Sequence, residues 1–304
     1  MVRICNHKKH KEISCFDSIR LYECEACGIV FSNKYWAEVD ARRLYEDYYK
    51  NEIGGKFNFS IECIIRIFRF FRAFKIFTLS SSAKEILDIG SGRGFMLYFL
   101  KKYYKYNKCI GTQISKNALI YSREKLELEI YDKDLLDLSI EEESFDIITA
   151  FHVLEHVPKP EEYIEKTLKL LKSGGKVVIE VPNFNSWTRK LTNKYWLSLD
   201  LCYHIYFFTP ETLLSLLKKH SFRVRTVHTF SLEYSTFISA QSIVSLITKT
   251  DHLFFNNLQT AGISFVGLCH TFLFILLTPL CFLINLALYF SKRGEVLLVV
   301  AEKS

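Results

Sequence analysis

Residues 1–12 are polar and basic and lack the apolar stretch of a secretory signal, so we expect no such signal here. The sequence has no apparent internal repeat, so it is not an array of small repeated units. Of its nine cysteines, only Cys24 and Cys27 have the close spacing of metal ligands. We therefore expect a protein of the reducing cytoplasm, whose thiols are free or metal-bound rather than joined in disulfides.

The composition excludes a disordered chain, because 49% of the 304 residues are hydrophobic and 26 are Phe. This length suffices for one large domain with a small appendage, or for two domains. The formal net charge of +7 favours an anionic partner, such as a membrane surface, a phosphorylated lipid or a nucleic acid. A slightly basic soluble enzyme is the alternative interpretation.

The middle of the chain alternates strand-like and helix-like patterns, which predicts a mostly parallel sheet covered by helices on both faces. The predicted strands are 85–89, 108–113, 128–131, 145–151, 176–181 and 222–230, and the predicted helices are 94–104, 115–126, 160–171 and 210–220. We divide the chain into a Cys-rich segment (1–34), an aromatic and basic lead-in (35–83), an α/β domain (84–230 with 294–304) and a hydrophobic insertion (231–293).

A glycine-rich turn follows the first predicted strand of the α/β domain, with Gly90, Gly92 and Gly94 opening a helix. Glycines let the backbone pass close to a ligand without a clash from Cβ. Open α/β sheets bind ligands at this end of their strands. Asp88, just before the turn, would repel a pyrophosphate but suits a cationic ligand with an amino group. A tight turn without a ligand is the alternative.

The segment 88–94 resembles the first motif, D-x-G-x-G-x-G, of the class I S-adenosylmethionine (SAM) methyltransferases. The resemblance implies a Rossmann-like α/β fold with a mostly parallel seven-stranded sheet. Its antiparallel last strand would be 295–302, beside 222–230. The resemblance also implies methyl transfer from SAM and cofactor binding by Asp88, Gly90, Ser91, Gly92, Gly94, Gln113, Asp134, Leu135 and Phe151.

Two of these positions carry alternatives. The family has an acidic residue after its second strand to bind the ribose hydroxyls, and Gln113 stands there instead. A neutral amide can bond a diol, but without the strength of a charge-assisted hydrogen bond. Asp134 and Leu135 fall where the family contacts adenine, and an Asp that caps a helix is the alternative. Further family motifs follow in order at 154–158, 170–179 and 181–183.

Three histidines are candidate bases. The sulfonium already activates the methyl group, so the protein aligns a nucleophile and excludes water, and a base helps a hydroxyl nucleophile. His152 and His156 follow the family's fourth strand. His204 lies in 196–210, which resembles the acceptor side of members acting on saccharides, quinone precursors and lipids. A structural role is the alternative for each histidine, and we place His204 slightly ahead. Candidate pocket residues are Asn183, Trp187, Trp196 and Asp200, for which core and capping roles are the equal alternative.

Cys24 and Cys27 lie on a tight turn of the zinc-knuckle type. A zinc ribbon needs a second pair of ligands, and Lys8 stands where an upstream C-x-x-C pair would have its second cysteine. Some related methyltransferases carry an N-terminal four-cysteine ribbon followed by an aromatic-rich stretch. We predict zinc bound by Cys5, His7, Cys24 and Cys27. A ribbon held by packing alone is the alternative.

Residues 61–77 resemble a membrane-surface helix. Arg66, Arg69, Arg72 and Lys75 recur at every third position among Ile and Phe. This pattern is typical of a helix in an anionic lipid interface. The alternative is a helix packed on the catalytic domain with its cations in solvent.

Residues 263–290 contain no Asp, Glu, Lys or Arg and are long enough to cross a bilayer. In the resembled fold, however, the strands on either side belong to one sheet, so the insertion has to return to the side it left. Pro279 would break or kink a helix here. We predict a re-entrant or in-plane helical hairpin, with Lys292 and Arg293 at the headgroups. The alternative is a hairpin that covers the acceptor site or forms a dimer interface.

The sequence therefore predicts a methyltransferase attached peripherally or monotopically to the cytoplasmic face of a membrane. We expect it to methylate an oxygen, rather than a nitrogen or carbon, of a lipid-linked, saccharide or isoprenoid-type acceptor. A nucleic-acid methyltransferase is the rival enzyme, although the sequence lacks an Asn/Asp-Pro-Pro-Tyr/Phe motif. A degenerate cofactor-binding scaffold is the rival without activity, suggested by Gln113 and the incomplete cysteine pairs.

Overall fold

The computed structural model describes residues 7–16, 18–33, 59–250 and 265–304. Its strands are β1 (His10–Phe16), β2 (Ile19–Cys24), β3 (Val30–Ser32), β4 (Glu85–Ile89), β5 (Lys108–Thr112), β6 (Glu129–Tyr131), β7 (Phe145–Phe151), β8 (Leu171–Pro182), β9 (Tyr206–Phe207), β10 (Phe222–His228) and β11 (Val296–Lys303). Its α-helices are α1 (Phe59–Leu79), α2 (Phe95–Tyr104), α3 (Lys116–Leu126), α4 (Pro160–Leu170), α5 (Trp187–Thr192), α6 (Pro210–Lys219), α7 (Ser235–Thr248) and α8 (Phe265–Ser291).

A seven-stranded sheet lies at the centre of the protein, in the strand order β10-β11-β8-β7-β4-β5-β6. Strands β4 to β8 pair in parallel, whereas β11 runs antiparallel to both β8 and β10. The alternating sequence pattern explains this order, because parallel neighbours need a crossover connection and helices supply it. The structure confirms the predicted Rossmann-like fold, including its antiparallel last strand.

Hydrophobic side chains cover both faces of this sheet, which is why its strands have long apolar runs. On one face, Leu87 and Ile148 share a buried cluster with residues of α4 and α6. On the other face, Ile86 and Ile147 share a cluster with residues of α1, α2 and α3. Polar groups in these strands are remote from water, so they need partners within the protein.

Helix α1 has the opposite orientation to the predicted one. Its cations point into the protein, where Arg69 and Arg72 lie 2.9 Å and 2.6 Å from the carboxylate of Glu233. Arg72 is also 3.5 Å from the buried carboxylate of Glu180 on β8. The alternative of a helix packed on the catalytic domain is confirmed, because Ala73 and Ile76 share the buried cluster of the sheet. Both predicted positions of the cations, at lipid headgroups or in solvent, are wrong for Arg69 and Arg72, because a buried carboxylate requires a cationic partner. The exposed face of α1 is apolar and includes Ile64, Ile67, Phe71 and Phe74.

The hydrophobic insertion consists of α7 and α8, which pack against each other. Helix α8 continues through Pro279, so of the predicted break or kink at this residue the break is wrong and the kink stays a prediction. Asn285 supports the continuous helix: its Nδ2 donates to Ser239 Oγ of α7 and to the Cys281 carbonyl one turn earlier in α8, each at 2.8 Å. Helix α7 leaves the sheet after β10 and α8 leads back to β11. The two arms are therefore separate helices rather than the two halves of 263–290.

Most of the surface of α8 is apolar and exposed. Its buried residues Gly267, His270, Cys281 and Asn285 form one stripe. Among the described helices, α8 alone has the length and composition to cross a membrane, with a mean hydropathy of 2.3 over its most apolar window. Only 11% of that window is buried in the protein. The exposed large side chains of α8 are Phe265, Val266, Leu268, Phe272, Ile275, Leu276, Leu280, Phe282, Leu283, Leu286 and Phe290.

The Cys-rich segment forms a ribbon that joins a strand of the α/β domain. Strands β1, β2, β3 and β9 make a four-stranded sheet in that order. Strand β3 pairs antiparallel with β9, so that Val30 faces Phe207 and Phe31 faces Tyr206. The ribbon is thereby in direct contact with the segment that carries His204.

Candidate functional site

The glycine-rich turn after β4 has the backbone shape of a cofactor cradle. Gly90, Gly92 and Gly94 adopt φ values of 66°, 56° and 77°, in the left-handed region that favours glycine. A Cβ on Gly90 would lie 2.7 Å from Val153 Cγ2 in the loop after β7. The turn is thus too close to that loop to carry a side chain at this position.

Asp88 lies buried at the end of β4, directly before this turn. Thr149 on β7 donates a hydrogen bond of 2.6 Å to its carboxylate. Burial raises the pKa of Asp88 to about 6, although the Thr149 bond and the charges of Arg72 and Arg69 oppose the rise. A cationic amino group bound beside Asp88 would stabilise the charged carboxylate.

The end of β5 contributes Gln113 to the same edge of the sheet. The Ser91 amide donates to the Thr112 carbonyl at 2.9 Å, which ties the glycine-rich turn to this strand. Gln113 Oε1 accepts the backbone amides of Ile114 and Ser115 at 2.8 Å and 2.9 Å. The oxygen of Gln113 therefore organises the start of α3, and its amide nitrogen is the group suited to a ribose hydroxyl.

Asp134 and Leu135 lie in the turn after β6. Asp134 accepts the amide of Leu136 at 2.9 Å through one oxygen and the hydroxyl of Tyr163 through the other. Leu135 is in the hydrophobic core. These contacts make Asp134 part of a local turn rather than the cap of a helix, and an adenine contact by either residue stays a prediction.

Helix α1 brings charged side chains to the end of the sheet that carries the glycine-rich turn, and these side chains were not among the predicted site residues. The guanidinium of Arg72 lies 4.0 Å from the centroid of the Phe151 ring. Arg93, inside the glycine-rich turn, forms a buried ion pair with Glu62 of α1. The single acid in the apolar run of β8, Glu180, was a usable signal, because a buried carboxylate needs a partner.

His152 is held between two buried carboxylates. Its Nδ1 is 3.3 Å from Glu155 Oε1, and its Nε2 is 3.3 Å from Glu180 Oε1. Burial alone would lower the pKa of His152, but these contacts raise it to about 10. An imidazole that is protonated at neutral pH cannot accept a proton, so this geometry argues against His152 as the base.

His156 and His204 lie together on the acceptor side, with ring centroids 4.7 Å apart. His156 Nδ1 is 3.1 Å from the Tyr203 carbonyl, which fixes the proton on that nitrogen. Burial lowers the pKa of His156 to about 4. Glu155 keeps its charge nearby: burial would raise its pKa, but the contact with protonated His152 is the largest of the influences that lower it to about 2.

Two candidate pocket residues hold the framework instead. Asn183 and Trp196 are completely buried. Asn183 Nδ2 donates to the Gly294 carbonyl at 2.7 Å, and Trp196 Nε1 donates to Glu295 at 3.0 Å. Both bonds join the region after β8 to the start of β11.

The ribbon gathers three groups that fit a metal ion. The donor atoms of His7, Cys24 and Cys27 all lie within 4.8 Å of one another. Cys27 Sγ and His7 Nδ1 are 3.6 Å apart, and two thiolates with an imidazole are typical zinc ligands. Cys5, the predicted fourth ligand, lies outside the described residues.

Similarity to known proteins agrees with this geometry. The family model described as "Methyltransferase domain" matches residues 65–227, which is more than half of the chain. The chain belongs to this methyltransferase family. It is a class I SAM-dependent methyltransferase, as the fold and the glycine-rich turn also indicate.

Curated relatives of the methyltransferase include ubiquinone biosynthesis O-methyltransferases. The Coxiella burnetii enzyme is 29% identical over 112 residues, which cover 35% of this chain and 47% of the relative. The mitochondrial enzyme of Candida albicans is 30% identical over 118 residues, 36% of each chain. The chain thus spans less than half the length of these relatives. A SAM-dependent methyltransferase structure from Archaeoglobus fulgidus, 20% identical, covers 87% of this chain and 100% of its own, with a TM-score of 0.51.

We predict that Gln113→Glu makes the methyltransferase bind SAM more tightly. Glutamate can keep the backbone contacts of Gln113 and offers a second, charged oxygen to a ribose hydroxyl. A charge-assisted bond in place of a neutral one is worth about 1 kcal/mol, or roughly fivefold in affinity. Titration calorimetry with SAM measures the change. Gln113→Leu is the matched control and should bind more weakly than the wild type. Equal affinity of Gln113→Glu and wild type would contradict the prediction.

We predict that His152→Asn destabilises the protein by about 3–5 kcal/mol near pH 6, because two buried carboxylates lose their cation. The pKa of His152 is about 10, above its ordinary value of 6.5. The stabilisation is therefore complete below pH 6.5 and is lost as the pH rises through 10. Urea unfolding at pH 6 and at pH 9.5 measures it.

His228→Asn serves as the control for this change, since burial lowers the pKa of His228. The free energy of unfolding that His228→Asn loses should not become smaller as the pH rises toward 10. If His152→Asn loses the same free energy of unfolding at pH 6 and at pH 9.5, the proposed charge on His152 is refuted.

Proposed function

We propose that this methyltransferase transfers the methyl group of SAM to an oxygen of a lipid-linked, saccharide or isoprenoid-type acceptor at the cytoplasmic face of a membrane. The exposed apolar surface of α8 is the observation that carries the proposal. Apolar surface in water costs about 25 cal/mol per Å², and contiguous exposed patches mark interaction sites. A bilayer interface would cover this surface.

The root of the insertion, meaning the end of β10 and the start of β11 with the helix ends beside them, supports an acceptor site close to the membrane. Strands β10 and β11 meet the insertion at the edge of the sheet that carries the glycine-rich turn. His228 Nδ1 and Tyr289 Oη are 2.8 Å apart, which joins the end of β10 to α8. Lipid contact of α8 would hold this edge of the sheet near the membrane surface.

His204 is the proposed base for an acceptor hydroxyl. His156 beside it is kept neutral by burial, which lowers its pKa to about 4. The charge of Glu155 acts on both histidines, and it would stabilise the imidazolium that forms when His204 takes the proton. His152 would remain a fixed cation that orients Glu155.

The cofactor side would be formed by Asp88, Gly90, Gly92 and Gly94, with Gln113 at the ribose. SAM supplies, when bound, a methyl group that its sulfonium makes electrophilic. The residues of the chain would then align the acceptor oxygen and exclude water, which is the larger part of such catalysis.

The choice of oxygen and of a hydrophobic acceptor draws support from the curated relatives. The name of these relatives states O-methylation in ubiquinone biosynthesis. The region that is similar in sequence covers about a third of this chain. A quinone-type or other isoprenoid acceptor would partition into the membrane that α8 contacts.

We also propose that the ribbon binds Zn²⁺ through His7, Cys24 and Cys27, with Cys5 as fourth ligand. The donor set and its spacing carry this proposal. Elemental analysis of the purified protein should give about one zinc per chain.

Radiolabelled SAM tests the proposed activity. The protein is incubated with fractionated membrane and soluble extracts, and we predict label in a solvent-extractable membrane compound. Gly90→Ala is the inactive control, because its Cβ would clash with Val153. Label in nuclease-sensitive material, or none in any fraction, would overturn the proposal.

We predict that Leu276→Glu with Leu283→Glu abolishes flotation with lipid vesicles. These side chains are 62% and 61% exposed, so the fold should be retained, whereas two carboxylates in a lipid interface cost several kcal/mol. Ile120→Glu on α3, at an exposed position of 42%, is the matched control and should float like the wild type. Flotation of the double variant with unchanged yield would rule out α8 as the contact.

A further inference from the structure

We propose that the ribbon is a positioning element of the acceptor site, through which metal binding at His7, Cys24 and Cys27 fixes the backbone of His204. The inference rests on the proposed function for the acceptor role of His204 and for the zinc ion. It assigns to the ribbon a task that goes beyond holding itself folded.

The three candidate metal ligands His7, Cys24 and Cys27, here called the metal cluster, are in contact with β9 through aromatic rings. The His7 ring stacks on Phe31 with centroids 5.2 Å apart, and its edge faces Tyr206 at 6.1 Å. Phe31 is completely buried and Tyr206 nearly so. A displacement of His7 would therefore require these packed rings to move.

The strand next to the cluster bonds directly to the His204 backbone. The Ser32 amide donates to the Ile205 carbonyl at 2.8 Å. Ser32 Oγ donates to the His204 carbonyl at 3.2 Å. Ser32 is completely buried, so no water replaces these bonds if the strand shifts.

The other side of this segment is bonded to the loop after β7. The amides of Ile205 and Tyr206 donate to the Glu155 carbonyl at 2.8 Å and 3.1 Å. The Tyr203 carbonyl is the partner of His156. The His204 segment is thus clamped between the ribbon and the loop that carries Glu155 and His156.

The short strands make this clamp dependent on the metal cluster. Strand β9 has two residues and β3 has three, too few to hold their register alone. The turn from Cys24 to Ile29 precedes β3 and closes on itself, since the Cys24 amide donates to the Ile29 carbonyl at 2.9 Å. A metal joining His7 to this turn would fix the start of β3, because a cross-link removes alternative arrangements of the chain.

The coupling predicts a selective effect on the acceptor step. Loss of the metal should loosen β3 and β9 and displace His204, while the glycine-rich turn and Asp88 lie on another part of the sheet. SAM affinity should therefore stay unchanged, whereas the KM for the acceptor should rise and kcat should fall.

The test uses the full-length protein, zinc-loaded and after removal of zinc by a chelator. Hydrogen exchange at the amides of Ile205 and Tyr206 is the main measurement. We expect exchange about tenfold faster without zinc. Titration calorimetry with SAM should give the same Kd for both forms, and a membrane extract should be methylated more slowly by the zinc-free form.

Two variants separate the positioning role from general stability. Ser32→Ala keeps the metal ligands but removes the bond to the His204 carbonyl. It should retain zinc, speed exchange at Ile205 and raise the acceptor KM without changing SAM affinity. Cys15→Ser, at an exposed cysteine of β1, is the control and should leave all four measurements as in the wild type.

Equal exchange at Ile205 and Tyr206 with and without zinc would overturn the coupling, as would a protein that binds no zinc. An extract that the zinc-loaded wild type does not methylate would refute the proposed function alone, because the exchange and calorimetry measurements need no acceptor. A change in SAM affinity equal to the change in acceptor KM would indicate general destabilisation and would also overturn the coupling.

Discussion

Glu180 places a negative charge inside the central sheet, and much of the site depends on the cations that compensate it. Glu180 is only 2% exposed, so its charge has to be balanced by protein groups. Arg72 from α1 and His152 from the loop after β7 lie 3.5 Å and 3.3 Å from it. Arg72 also contacts Glu233, next to the start of α7. One buried carboxylate thereby fixes α1, the β7 loop and the root of the insertion relative to one another.

This compensation explains why α1 has its unusual orientation. In a helix at a lipid surface, cations face the headgroups and apolar side chains face the acyl chains. In α1 the cations Arg69 and Arg72 are drawn inward by Glu233 and Glu180, because an unpaired buried charge would cost several kcal/mol. The apolar side chains are left outside, as they are in α8. The spacing of cations in α1 therefore reflects ion pairs within the protein as much as contacts with the surroundings of the protein.

Local patterns in the sequence predicted most of the fold, and they placed the glycine-rich turn and Asp88 at the end of its first parallel strand. The strands at 85–89 and 145–151 have their predicted bounds, because periodicity and flanking turns are local signals. The orientation of α1 depends on Glu180, which is more than 100 positions away from Arg72. The pairing of Phe31 with Tyr206 and the continuity of α8 through Pro279 depend on tertiary contacts in the same way. Glu180, within the apolar run of β8, signals a buried charge but not which residue compensates it, and the other two contacts carry no local signal.

The cofactor side depends on residues within one stretch of the chain, whereas the acceptor side depends on contacts between distant segments. Asp88, Gly90 and Thr149 come from neighbouring strands within one stretch of the α/β domain. His204 instead receives its position from the ribbon and from the loop at Glu155, and the edge of the sheet continues into the insertion. Both the ribbon and α8 lie outside residues 65–227, the part shared with the methyltransferase family. The residues that we propose to bind the methyl donor therefore lie within the matched region, whereas the ribbon and α8, which we propose to place the acceptor, lie outside it.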